Sequence, residues 1–191
     1  MRQSLSTTTL ALTESEEQAL IEAARAAITQ RLNGRGACVE SPLTPSLLLP
    51  CGAFVTLKVN GGLRGCIGRI TASRPLLQTV REVAQCAAFE DPRFAPLTPA
   101  EWPAVRLEIS VLSPFRKITD VQSIEVGVHG VMIRCGHHSG LLLPQVATEQ
   151  GWDRDMFLRH VCSKAGLPPD AWKSPLAQIE IFSALVIHEK D

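Results

Sequence analysis

Apolar residues recur at helical spacing in some stretches of the chain and alternate with polar ones in others, so it reads as amphipathic helices mixed with half-buried strands. Between Thr13 and Asn33, the residues Ala19, Leu20, Ala23, Ala27, Ile28 and Leu32 form one stripe. A capping-type start with acidic residues in the first turn, and Gly34 just past the end, mark this as a helix. The Pro- and Gly-rich stretch "GRGACVESPLTPSLLLPCG" follows and reads as a surface connection. "FVTLKV" and "LRGCIG" then alternate like the two strands of a hairpin. A three-residue loop, Asn60 to Gly62, pairs Val59 with Leu63, Leu57 with Gly65 and Val55 with Ile67, giving one consistent apolar face anchored by Leu63 and Ile67. The same register puts Thr56 across from Cys66, and Lys58 across from Arg64, on the other face.

Downstream, Ser73 suits the N-cap of a helix running to Phe89, with Leu76, Leu77, Val80, Val83, Ala84 and Ala87 as its buried stripe. "AVRLEISVL" is a strand with Val105, Leu107, Ile109 and Val111 on one face. The last third runs as strand "VMIRC", loop "GHHSG", strand "LLLP", helical turns with Asp153 as N-cap and Gly166 as stop, and a closing strand "AQIEIFSALVIHE". A hairpin followed by helices thus occurs twice, which suggests an internal structural duplication. The expected class is α+β: antiparallel hairpins and sheet packed with helices, in a compact bilobed domain. Residues 1–50 form a helix and connection packed on a domain spanning 50–191.

Composition narrows the function classes. A chain of 191 residues with 45% hydrophobic content can bury a core as one structural unit. Lys+Arg and Asp+Glu both count 19, so no basic stripe is available for nucleic acid. No run of 18 apolar residues suggests a membrane span, and no signal sequence opens the chain, so a cytoplasmic location is expected. Six cysteines without a C-x-x-C pair argue for reduced thiols rather than a disulfide framework or zinc ribbon.

The chemistry concentrates in "NGGLRGCIG" (60–68). Lys58 opposite Arg64 is unfavourable unless an acidic group visits that face, which points to a small anionic ligand. Arg64 and Cys66 share a side of one strand, starting about 7 Å apart. An arginine at that distance favours a thiolate by about 2.4 kcal/mol at effective dielectric 20, but only about 0.6 kcal/mol at 80. Gly65 and Gly68 leave space near the sulfur for a ligand or another backbone. The plainer reading is that Cys66 is a small buried hydrophobe and the glycines shape a turn. In "EDPRF", Asp91 and Arg93 form either an Asx-type turn with an internal ion pair or a fork for an anion. Glu108 is a candidate general base or a counter-ion for Arg64, set against a plain solvated carboxylate. His129 is a second candidate base. Cys135, His137 and His138 match no common zinc spacing, so no metal site is expected, and the two adjacent histidines read as exposed loop residues.

"LRGCIG" resembles the signature hexapeptide of the AMMECR-type domain, whose prokaryotic members are called AmmeMemoRadiSam system protein A. "DPRF", "LEISVL", "EVGVHG", "LLPQVATEQGWD" and "KAGL" resemble further segments of that family in matching order, covering roughly residues 50 to 190. The resemblance implies a two-lobed α+β fold with a cleft near Leu63 to Gly68, and implicates Leu63, Arg64, Gly65, Cys66, Ile67 and Gly68. Asp91, Arg93, Glu108 and His129 fall in its secondary segments. It further implies the company of a Memo-type protein and a radical S-adenosylmethionine enzyme, without implying a reaction or a cofactor. Two functions fit: an enzyme using Cys66, and a binding or scaffold protein using the glycine-rich hairpin.

Overall fold

The structure is a computed structural model that describes residues 11–34, 44–71 and 73–190. In chain order its elements are α1 (Glu14–Asn33), α2 (Pro45–Leu48), β1 (Ala53–Val59), β2 (Gly62–Arg69), α3 (Leu76–Phe89), β3 (Val105–Leu112), β4 (Arg116–Ile118), β5 (Gly130–Cys135), β6 (His138–Leu142), α4 (Pro144–Glu149), α5 (Arg154–Lys164), β7 (Gln178–Phe182) and β8 (Ala184–His188). The fold is α+β, as expected. Among the described residues, 11–112 with 185–190 form one compact unit and 113–184 the other. Cys38 and most of the connection before it lie outside the described residues.

The first unit holds the sheet β2-β1-β3-β8. α1 and α3 bury their stripes against one face of it, in a core that includes Leu20, Ile28, Val80, Val83, Val55, Leu57 and Ile109. α1 begins with the capping box of Thr13 and Glu16 and ends at a left-handed Gly34. The connection is not wholly surface: Leu47 of α2 is fully buried. α3 starts after Pro75 rather than Ser73, with no side-chain cap, and the Leu49 carbonyl takes up its first N–H, that of Leu76, at 2.9 Å.

The second unit holds the sheet β6-β5-β7-β4 over a core of Val131, Ile133, Ile181, Phe157, Leu158 and Val161. The turn of its hairpin is only Gly136-His137, so His138 lies in β6, where its Nδ1 meets the Ala165 carbonyl at 3.2 Å. The closing strand is two strands: β7 ends at Phe182 and β8 begins at Ala184, in different sheets. Alternation cannot reveal such a break, because both halves carry the same period.

The two sheets share one plan. In each, a hairpin supplies the edge and second strands, a helix follows, and the next strand pairs with the first of the hairpin. The fourth strand is exchanged: β4 follows β3 in the chain but joins the second sheet, and β8 follows β7 but joins the first. Gly65 faces Leu57 as Gly140 faces Ile133. A Cβ on Gly65 would lie 2.2 Å from the Ala87 carbonyl oxygen at the end of α3; one on Gly140 would lie 2.6 Å from the Ala165 nitrogen at the end of α5. Both glycines let a helix end abut the second hairpin strand. The expected duplication is therefore present in the topology.

Candidate functional site

The hairpin that carries "LRGCIG" turns in two residues, not three. Asn60 (φ 50°) and Gly61 (φ 77°) are both left-handed, the type I′ pattern that an Asn-Gly pair favours. The register then shifts between Leu57 and Lys58, leaving Arg64 as the extra residue of a bulge. Beyond the bulge the expected pairs hold: Leu57 with Gly65, Thr56 with Cys66, Val55 with Ile67. Lys58 faces Leu63, not Arg64, and Leu63 is 46% exposed rather than an anchor.

The bulge separates the two cations and each has a carboxylate of its own. Arg64 makes a two-pronged contact with Glu101, Nε to Oε1 at 2.9 Å and Nη2 to Oε2 at 3.1 Å. Glu101 also accepts from the Thr98 N–H at 2.9 Å and the Thr98 hydroxyl at 2.8 Å. Arg64 first, and Thr98 after it, hold the Glu101 carboxyl down to about 2. Glu101 was not singled out from the sequence, although "TPAE" carries its capping signal. Lys58 donates to Glu108 at 2.8 Å. The acidic visitors expected on this face are thus side chains of the chain itself, and Glu108 is the counter-ion of Lys58 rather than of Arg64.

Cys66 is held from three sides. β2 is an edge strand, and the Cys66 N–H and carbonyl both find partners in the "EDPRF" loop. The Cys66 N–H donates to Asp91 Oδ2 at 2.8 Å, and Arg93 Nη2 donates to the Cys66 carbonyl at 3.1 Å. Asp91 is buried and also accepts from Arg93 Nε at 2.9 Å and Nη2 at 2.7 Å. Arg93 chiefly, with the Cys66 N–H helping against burial, holds the Asp91 carboxyl well below the usual carboxylate range. The loop therefore caps the exposed strand edge at one residue, which answers the liability of an unpaired edge. The third contact is to the sulfur: Thr56 Oγ1 donates to Cys66 Sγ at 3.2 Å. Asp91 chiefly raises the Arg93 pKa, and Cys66 contributes to the same rise. Arg93 is thus a cation beside Cys66, its guanidinium on the Cys66 carbonyl.

The glycines are structural neighbours of the thiol. Gly65 admits the backbone of α3, and a Cβ on Gly68 would lie 2.2 Å from the Phe54 ring, which covers it. On the sheet face away from α1 and α3, Cys66, Thr56 and Glu108 stand in one register row. Glu108 Oε2 also meets His188 Nδ1 of β8 at 3.4 Å. No sequence signal marked His188, because its strand partner is distant in the chain. β8 is fastened beside this row by Glu189, which accepts from the Leu107 N–H at 3.0 Å and pairs with Arg25. His129 belongs to the other unit, where its Nδ1 accepts from the Glu125 N–H at 3.0 Å. Burial first, then Arg116, pushes its pKa down. Among the described residues no cluster of three His, Cys, Asp or Glu side chains is arranged to hold a metal, and no helix is long and apolar enough to cross a membrane.

The AMMECR1 family model matches residues 21–187. Protein MK0488 of Methanopyrus kandleri is 44% identical over 189 residues, covering 94% of this chain and 91% of its own. Protein MJ0810 of Methanocaldococcus jannaschii is 38% identical, covering 93% and 92%. The crystal structure of uncharacterized protein PH0010 from Pyrococcus horikoshii superposes with a TM-score of 0.85 at 36% identity, covering 93% of both chains. With a family match across most of its length and relatives this similar along nearly all of it, the chain belongs to the AMMECR1 family.

Proposed function

We propose that Cys66 is the reactive group of a small-molecule site on the polar face of the first sheet, and that the protein is a Cys66-dependent enzyme working alongside a Memo-type protein and a radical S-adenosylmethionine enzyme. The observation that carries this is a half-buried thiol that takes a hydrogen bond from Thr56 on its sulfur, on a residue whose backbone N–H is held by Asp91 and whose backbone carbonyl is held by Arg93. A cysteine serving only as a small hydrophobe needs no donor on its sulfur. A nucleophile needs its position set by its neighbours and its sulfur within reach of a substrate. Of the other described thiols, Cys51 and Cys162 are buried, and burial pushes both up, as it does Cys86.

Limiting iodoacetamide with peptide-resolved mass spectrometry tests this. Cys66 takes the label ahead of the half-buried Cys86 and Cys135; labelling of Cys66 no faster than those two defeats the proposal. The exposed Leu63 at the hairpin end favours a second reading, a partner-binding surface. Retention of the two partner proteins by Leu63→Asp at wild-type levels defeats that one.

A further inference from the structure

We infer that the ligand of the Cys66 site carries a planar aromatic or unsaturated group, and that this group lies on the Phe54 ring beside the thiol. The inference rests on the Cys66 reading and adds the chemical class of the ligand and the side chain that selects it.

Position comes from register. Phe54 and Thr56 are two apart on β1, so Phe54 stands on the sheet face that carries Cys66. Its partner on β2 is Gly68, two residues beyond Cys66, which places the ring about 7 Å along the strand from the thiol. The ring leans over that glycine: a Cβ there would lie 2.2, 2.3 and 2.7 Å from three of its carbons. Covering a strand glycine with an aromatic ring supports the sheet, but it uses one face of the ring. Phe54 remains half-buried and lies outside the two hydrophobic cores. Among the described residues no second ring and no cation stacks on it.

The second sheet shows how such a row is completed. With Gly65 matched to Gly140, Phe54 falls on Gly130, and Ser110, its neighbour on β3, falls on Phe182. There too a ring leans over a glycine, since a Cβ on Gly130 would lie 2.4 Å from Phe182. Phe182, however, is 2% exposed, and Phe115, just before the exchanged strand β4, packs on it with ring centroids 4.8 Å apart at 46°. That row holds two rings. The row of the first sheet holds one, between Gly68 and Ser110, with a thiol beside it where the second sheet has Leu141. A ligand ring on Phe54 takes the part that Phe115 plays on Phe182, and tilted or offset ring pairs gain more than area burial alone gives.

The test compares two reagents of nearly equal size on the full chain, N-phenyl and N-cyclohexyl iodoacetamide. In both, the sulfur electron pair forms the C–S bond, iodide leaves with the C–I pair and the thiol proton goes to buffer, so only the ring differs. An anilide carries its ring about 7 Å from the sulfur, the spacing of Cys66 and Gly68 along β2. The phenyl-to-cyclohexyl rate ratio at Cys66, read by peptide mass spectrometry and divided by the same ratio for the chain unfolded in urea, is expected to be about two- to tenfold. It falls to about one in Phe54→Leu and is kept in Phe54→Tyr, which retains the ring. A ratio near one in the wild type, which needs no variant to measure, overturns the inference while the Cys66 reading stands. So does an excess that Phe54→Leu preserves. If Cys66 is not alkylated ahead of Cys86 and Cys135 even by iodoacetamide, both fall.

Discussion

Removing the Asp91 carboxylate tests whether the "DPRF" loop is a clamp on the strand that carries Cys66. In Asp91→Ala, the Cys66 N–H loses an acceptor at 2.8 Å and Arg93 loses its partner at 2.7 and 2.9 Å. Hydrogen bonds to a charged group contribute about 1.5–3 kcal/mol, and a buried donor left unpaired costs about 1–3 kcal/mol. Arg93 is 54% exposed, so water compensates its side of the loss and the ion pair itself adds little. The expected destabilisation is about 2–4 kcal/mol by urea titration, with Asp91→Asn, which keeps one oxygen, losing less. The pH dependence follows from the sign of the shift. The folded-state pKa is depressed, so the contribution is fully present above the unfolded carboxylate range near 4 and is lost as pH falls through the lower folded value. The gap between wild type and Asp91→Asn therefore narrows as pH is lowered from about 5 toward 2. A loss below about 0.5 kcal/mol for Asp91→Ala, or a gap that widens in acid, would refute the clamp.

Other predictions follow from the same geometry. Gly65→Ala drives a methyl into the Ala87 carbonyl, a backbone atom that cannot swing aside, and is expected to lower stability by about 1–3 kcal/mol or more in thermal unfolding; Gly140→Ala should behave alike against Ala165. Glu101→Gln loosens Arg64, yet Glu101 is 39% exposed, so the cost is expected to stay below about 1 kcal/mol in urea. Gly61→Ala puts a side chain at φ 77° in the hairpin turn and should cost about 1 kcal/mol in the same assay, whereas Gly62→Ala, in open space apart from the Val59 carbonyl at 3.4 Å, should cost less.

Much of the fold was legible because its elements obey simple periods. The stripe of α3 and the alternation of β1 and β3 gave the core residues correctly, and the Thr13 and Asp153 caps are both formed. The site was legible in part. Thr56 opposite Cys66 followed from pairing the apolar positions, and that pair exists, but the bulge at Arg64 did not follow, since a three-residue loop and a two-residue turn plus bulge give the same register beyond it. That ambiguity set Arg64 opposite Lys58, when it stands in the bulge and pairs with Glu101. Arg93 as a cation beside Cys66, and His188 as the neighbour of Glu108, depend on contacts between segments 27 and 80 residues apart, which no local pattern encodes. The exchange of β4 and β8 was hidden for the same reason: topology decides which sheet a strand joins, and periodicity only says that it is a strand.

The central claim is that the clamped thiol is what the protein uses. Its most direct measurement is complementation: a host lacking its own copy of the gene, supplied with wild type or Cys66→Ser, compared by untargeted metabolite profile alongside the melting temperature of each purified protein. Cys66→Ser is expected to melt with wild type, since serine keeps the backbone contacts to Asp91 and Arg93, and to leave the metabolite profile of the deletion uncorrected. A Cys66→Ser protein that restores the wild-type profile would contradict the account.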